Sequence, residues 1–251
     1  MTDCDGITVE GLATDYPAGM VVEAHVHDGH QIVHASEGVS RVVCRDATWV
    51  LPPGRGLWVP AHTEHEVRCV SAVRMRTVYL TGAHPDFPAD TCVVAVSPLL
   101  REIIVRFSEG AAPSSVAHLK ALLIEEIVRA EVTPLRLPVP KDPRIARLVE
   151  AFCAQPGQPA TLQDWSARLS MSRRSLIRHI HAETGMSFRE LRRQARVIAA
   201  LERLATGHPV TAVAFDVGFE SPSAFIVAFK AVTGVTPGQY LRAGSEAAER
   251  R

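Results

Sequence analysis

The feature that most limits how this chain can fold is a repeat in its C-terminal part. Ser172, Leu176, Ile180, Thr184-Gly185 and Ser187 recur as Ser221, Phe225, Phe229, Thr233-Gly234 and Thr236, each displaced by 49 residues. Apolar residues at i and i+4, closed by glycine, describe a helix that buries one face and then stops, so the repeat implies two similar helical units. The flanking residues mark the helix ends. Thr161-x-x-Asp164 and Ser187-x-x-Glu190 are capping boxes, in which a hydroxyl and a carboxylate satisfy amide donors at a helix start. Ser221-Pro222 and Thr236-Pro237 place a cap residue before proline at the first helical position, and Gly185, Gly207, Gly218 and Gly234 fall where helices should end.

Ahead of this region the pattern changes. Pro134, Pro138, Pro140 and Pro143 lie within ten residues, and each removes a backbone donor, so 134–143 reads as a linker. Residues 20–80 hold short β-branched runs separated by turns, among them Gln31-Ile32-Val33, Arg41-Val42-Val43, Trp49-Val50-Leu51, Leu57-Trp58-Val59 and Val73 to Leu80. Many short strands favour a sandwich or barrel. From Pro98 the pattern turns helical, and Leu119, Leu122, Leu123 and Ile127 fit a core-facing stripe, with pairing of two chains as the alternative use of the 96–133 segment. The expected organisation is α+β and multidomain: a β-rich domain over 1–95, helices over 96–133, a linker, and an all-α domain over 144–244.

The net charge of zero conceals a division. Residues 1–140 carry 11 Lys+Arg against 17 Asp+Glu, and residues 141–251 carry 16 against 10. A basic helical half beside an acidic half points to a polyanion partner for the former. The start, Met1-Thr-Asp-Cys-Asp-Gly, has neither the basic region nor the apolar run of a secretory signal, and no apolar stretch approaches the ~20 residues of a membrane span, so a cytosolic protein without membrane attachment is expected. Cys4, Cys44, Cys69, Cys92 and Cys153 lie far apart without a C-x-x-C pair, which suggests neither a zinc ribbon nor a disulfide framework.

The first helical unit has helix-turn-helix spacing: a helix from about Leu162 to Leu169, a tight Ser170-Met171 turn, and a second helix from about Arg173 to Glu183. Leu176 and Ile180 face inward, which leaves Arg174, Ile177, Arg178 and His181 near the outward face. On an isolated helix such arginines would be a solvated surface; the repeat and the charge bias favour base edges and phosphates of duplex DNA. The second unit, Val210 to Val217 and then Pro222 to about Thr233, presents Ser223, Ile226 and Val227, which offer one hydroxyl and apolar contacts but no bidentate reading. The first unit is therefore expected to supply most base specificity and the second mainly to position the protein. Between them a helix from Phe188 to about Ala205 would span roughly 27 Å, comparable to a DNA turn of ~34 Å. Arg189, Arg192, Arg193 and Arg196 on or near this helix divide between phosphates and intrachain carboxylates.

These stretches resemble the DNA-binding domain of AraC/XylS-type regulators over residues 142–243. Leu-Ser-Met-Ser-Arg-Arg-Ser-Leu-Ile-Arg (169–178) and the run from Asp216 to Pro237 carry the resemblance, above all Gly218-Phe219, Phe225, Phe229-Lys230, Gly234 and Thr236-Pro237. The resemblance implies DNA contacts by Ser172, Arg173, Arg174, Ile177 and Arg178 in the first unit, and by Pro222, Ser223, Ile226 and Val227 in the second. Family members often carry polar or basic residues in the latter set, and this chain departs from that.

Six of the eleven histidines, at 25, 27, 30, 34, 62 and 65, fall in one 41-residue stretch. In an extended strand His25 and His27 point to one face, and His65 from a neighbouring strand would complete a divalent transition-metal site with metal–nitrogen distances of about 2.0–2.1 Å. Gly19, His25-Val26-His27, Gln31 and Gly38, then Gly54, Pro60 and His65, resemble the two cupin motifs, with glutamine in place of the usual glutamate. That resemblance implies a cupin-like β-barrel and the ligand set His25, His27, Gln31 and His65, with His30, His34 and His62 outside it. The alternative is a barrel whose histidines line a small-molecule pocket. The function expected is an effector-responsive transcription regulator, not an enzyme. Its partners would be double-stranded DNA, a small-molecule or metal effector, RNA polymerase and a second copy of the chain. Two rivals are a metal-dependent cupin enzyme tethered to DNA and an architectural DNA binder with a non-sensing barrel.

Overall fold

The computed structural model describes residues 6–133 and 135–248, with side chains as far as Arg242; Cys4, the acidic start and Pro134 lie outside the described residues. The chain divides into two compact units, Met1–Cys44 with Trp49–Pro134 and Arg242–Arg251, and Arg45–Thr48 with Leu135–Leu241. No helix among the described residues is long and apolar enough to cross a membrane.

In the first unit the elements run β1 (Thr8–Tyr16), β2 (Val21–His25), β3 (His30–Glu37), β4 (Ser40–Cys44), β5 (Ala47–Leu51), β6 (Arg55–Val59), β7 (His65–Cys69), β8 (Val73–Thr81), β9 (Cys92–Ala95), α1 (Pro98–Glu109), α2 (Pro113–Arg129) and β10 (Val132–Thr133). One sheet has the order β1-β8-β3-β6-β9-β10, and the other contains β5-β4-β7-β2. Strand alternation sorts the side chains. Ile32, Trp58, Val78, Leu80 and Val94 turn toward α1 and α2 and form one apolar cluster with Leu100, Ile103, Ile104, Phe107, Leu123, Ile124 and Ile127. Gly11 lets β1 approach α1: a Cβ there would lie 2.2 Å from the Phe107 carbonyl carbon.

The helical segment after Pro98 thus packs on the sheet of its own chain, with a shifted phase. Ile124 joins Leu123 and Ile127 in the core while Leu122 is exposed. Periodicity alone leaves the phase of a stripe open by a residue or so, and the sheet surface decides it.

The second unit contains β11 (Arg136–Pro138), α3 (Pro143–Ala154), α4 (Leu162–Arg168), α5 (Arg173–Thr184), α6 (Phe188–Ala205), α7 (Val210–Asp216), α8 (Pro222–Thr233) and the start of α9 (Pro237–Ala248). Within the proline-rich stretch, Leu135 and Leu137 are buried. Both capping boxes form: Thr161 with Asp164, and Ser187 with Glu190. Ser221 caps α8 by accepting from the Ala224 amide, and Gly185 and Gly234 end α5 and α8 in left-handed conformations.

One buried group couples the first unit to pH. His34 is fully buried; its Nδ1 donates to the Arg55 carbonyl at 3.0 Å, and its Nε2 has no partner. Burial, more than any nearby charge, lowers its pKa to about 4. The ring is therefore neutral in the folded chain while an unfolded histidine protonates near pH 6.5. The resulting stability is complete above pH 6.5 and is lost as pH falls toward 4. Between pH 7 and pH 5 this group should cost the wild type about 2 kcal/mol of unfolding free energy that His34→Gln does not lose. Equal pH slopes in urea unfolding of the two chains would contradict the assignment.

Candidate functional site

The helical unit formed by α4 and α5 is built around its turn. After α4, the Ser170 amide donates to the Ala167 carbonyl and Met171 to Ser166; after α7, Gly218 donates to Phe215 and Phe219 to Ala214. The four matched positions are displaced by 48 residues, whereas α5 and α8 match at 49, so the second turn holds one extra residue. The left-handed position falls on Ser170 in one turn, with φ 52°, and on Gly218 in the other, with φ 87°. Ser170 is the strained version of the same turn.

On α5, Leu176, Ile180 and Thr184 are buried, and Ser172, Arg173, Arg174, Ile177 and Arg178 are all exposed. On α8, Phe225, Ala228, Phe229, Val232 and Thr233 are buried; Ser223, Ile226 and Val227 are exposed, and Pro222 is half-covered at the first turn. The structure therefore places each residue read as DNA-facing on the outer side of its helix. Ile177, at 48% exposure, and Val227, at 71%, are large apolar side chains left in water.

Two of the α6 arginines, Arg192 and Arg196, take intrachain partners other than those expected. Arg192 donates through Nη1 to the Ala160 carbonyl at 2.8 Å and through Nη2 to the Gln158 carbonyl, and Arg196 donates through Nε to the Pro156 carbonyl at 3.1 Å. Their intrachain partners are backbone carbonyls, not carboxylates. Burial holds both guanidiniums below the usual arginine range, and for Arg196 the charge of Arg192 adds to it. Arg189 and Arg193 are exposed.

In the first unit, His25, His27 and His65 come together, with one ring nitrogen of each lying within 4.8 Å of the others. Strand pairing does this: His25 is opposite His65 across β2 and β7, and the His62 amide donates to the His27 carbonyl at 2.8 Å just beyond β2. His25 Nδ1 lies 2.6 Å from the Glu23 carbonyl, and His65 Nδ1 lies 2.9 Å from the Thr63 carbonyl. A carbonyl only accepts, so both Nδ1 atoms carry the proton and both Nε2 atoms present lone pairs. The Nε2 atoms of His27 and His65 are buried without partners. Burial is the main cause that keeps His27 and His65 below the ordinary histidine pKa; neighbouring imidazoles add to it, and the Thr63 bond opposes it at His65.

Gln31 is buried, pairs in register with Tyr79 and bonds to its side chain, while its Oε1 has no partner. The Tyr79 ring lies 4.8 Å from His27, an element of the site that motif spacing does not reveal although Tyr79 shares the alternation of Met75 and Thr77. The other three histidines stand apart. His30 stacks on Trp58 at 5.1 Å, His34 is the buried group described above, and His62 is exposed near Asp28. The donor set suits a first-row transition metal: three imidazoles, two of them with Nδ1 committed to a carbonyl at His25 and His65, and buried Nε2 atoms on His27 and His65 that have no other partner.

Comparison with known proteins joins these two sites. Residues 7–174 match the AraC-like ligand binding domain, and residues 165–243 match a helix-turn-helix domain. The HTH-type transcriptional regulator NimR of Escherichia coli is 32% identical over 221 residues, covering 86% of this chain and 81% of NimR. The C-terminal domain of AraT, a response regulator from Geobacillus stearothermophilus, is 33% identical over 40% of this chain and 85% of that structure, with a TM-score of 0.38. A crystal structure of ToxT from Vibrio cholerae with a bound unsaturated fatty acid is 15% identical over 94% of each chain, with a TM-score of 0.40. With an effector-binding domain of this kind ahead of two helix-turn-helix units, the chain belongs to the AraC family of DNA-binding transcription regulators.

Proposed function

We propose that this regulator is controlled by a divalent transition metal held by His25, His27 and His65, with Gln31 as a fourth, weaker ligand. The observation that carries the reading is the pair of buried, unpartnered Nε2 atoms on His27 and His65, beside a His25 whose Nδ1 proton is already committed to a carbonyl. Leaving such polar atoms unmet in the interior costs about 1–3 kcal/mol each, and a metal would satisfy them. When bound, it would supply a Lewis-acidic centre for an oxygen or nitrogen of a small effector. In this reading the chain has no catalytic role and works in the cytosol.

On the DNA side, Arg174, Ile177 and Arg178 read bases with Ser172 and Arg173 beside them, and Pro222, Ser223, Ile226 and Val227 set the second unit against the duplex. A homodimer is part of the proposal, supported by Leu122, which α2 leaves exposed. Contact with RNA polymerase completes the set of partners.

Two outcomes are expected. Elemental analysis of purified protein should find about one metal per chain in the wild type and a near-complete loss in both His25→Ala and His65→Ala; metal retained by both variants would eliminate the site. Arg178→Ala should weaken binding to a selected duplex by about 1–3 kcal/mol and relax preference at one base pair. An unchanged footprint and base preference would remove Arg178 from the reading set.

A further inference from the structure

Two helical units in one chain read DNA as a pair only if the distance and angle between them are held. The shared helix α6 packs against α5, α7 and α8, but apolar packing along one stripe tolerates small rotations. A polar clamp adds directional restraint. Arg196 bonds the Pro156 carbonyl in the loop that leads into α4, and its guanidinium lies 5.5 Å from the ring centre of Phe219, in the turn between α7 and α8. The same loop and the same turn meet directly. A Cβ on Gly218 would lie 2.8 Å from Arg196 Nη2 and 2.8 Å from the Gly157 Cα, and a Cβ on Gly157 would lie 2.6 Å from the Asp216 carbonyl oxygen. One turn earlier on α6, Arg192 holds the next part of the loop through the Gln158 and Ala160 carbonyls.

We infer that Arg196 is a positioning residue for DNA recognition: by tying the entry loop of the first helix-turn-helix unit to the turn of the second, it sets the spacing between the two DNA segments that the chain accepts. The inference rests on the proposed reading that both units engage the duplex. Arg196 is suited to the role as lysine would not be, because one planar group both donates to a carbonyl and covers an aromatic ring. Its Nε is occupied by a backbone oxygen and its charge is partly buried, which separates it from the exposed Arg189 and Arg193.

The test uses the full chain and a duplex enriched by it from a random pool, together with derivatives carrying one or two base pairs inserted between the two protected segments. The wild type should lose about tenfold or more in affinity with each change of spacing, since a misplaced second contact forfeits its effective concentration. Arg196→Met should bind the parent duplex more weakly and show a spacing penalty below about threefold, with the salt dependence of binding unchanged because no phosphate contact has been removed. Arg196→Lys, which keeps the charge and can still donate to a carbonyl but lacks the planar group, should restore part of the spacing preference and carries the test if the methionine variant does not fold. A uniform loss at every spacing, or a salt slope reduced by about one, would overturn the positioning role in favour of a phosphate contact. A wild-type footprint with a single protected segment would instead overturn the two-contact reading on which this inference rests.

Discussion

The DNA-binding unit depends on one buried stripe. Leu191, Ala195, Val197, Ile198, Ala200, Leu201 and Leu204 of α6 are all buried, and helices from both helix-turn-helix units pack against this helix. The helices that pack on it, α3, α5, α7 and α8, could not each stabilise themselves in water, because helices of this length are marginal alone. They persist because α6 gives them a common wall, and the caps then settle the cost of their ends. The two outer helices α5 and α8 can consequently present a whole face to solvent, and even leave Ile177 and Val227 uncovered, without losing their structure.

The chemistry on those faces is unequal, and magnitudes indicate which unit reads sequence in the proposed mode. From Val210 to Thr233 the only basic residue is Lys230, against Asp216 and Glu220, whereas α5 alone exposes Arg173, Arg174 and Arg178. A bidentate arginine–guanine pair discriminates by about 1–3 kcal/mol, while a thymine methyl against a valine is of the order of one buried methylene, about 0.8 kcal/mol. In that proposed mode the first unit dominates specificity and the second adds orientation, which would make the rigidity of the connection between them matter more than any single contact of the second unit.

The effector-binding unit meets a different constraint, the cost of polar atoms in a dry interior. Most buried polar groups in folded chains find partners. Here Gln31, His27, His34 and His65 each leave a buried polar atom without a partner among the described residues. They do not share one environment. His34 lies on the strand face that turns toward the helices, with Ile32, while Gln31 and Tyr79 face the other way, the side on which His27 is found. His34 thus records a stability cost borne by the fold, and the other three converge on a region where a ligand would repay it.

What could be read in advance follows the range of the interactions. Helix starts and stops depend on residues three or four apart, so Thr161 with Asp164, Ser187 with Glu190, and Ser221 before Pro222 were visible in sequence and recur in the structure. The cluster of His25, His27 and His65 was legible because a strand period and a motif spacing both point to it. Three features were not. The phase of α2 depends on the sheet beneath it, so Leu122 and Ile124 exchange the places that the stripe assigns them. The extra residue in the second turn is masked because Ser170 takes the left-handed conformation that Gly218 takes one position earlier in the repeat. The partners of Arg192 and Arg196 are main-chain oxygens at Gln158, Ala160 and Pro156, and a carbonyl carries no residue identity. An arginine on a basic helix facing DNA invites assignment to a phosphate, yet a backbone loop 32 to 40 positions away in sequence can claim it first, and only the packed fold discloses which has done so.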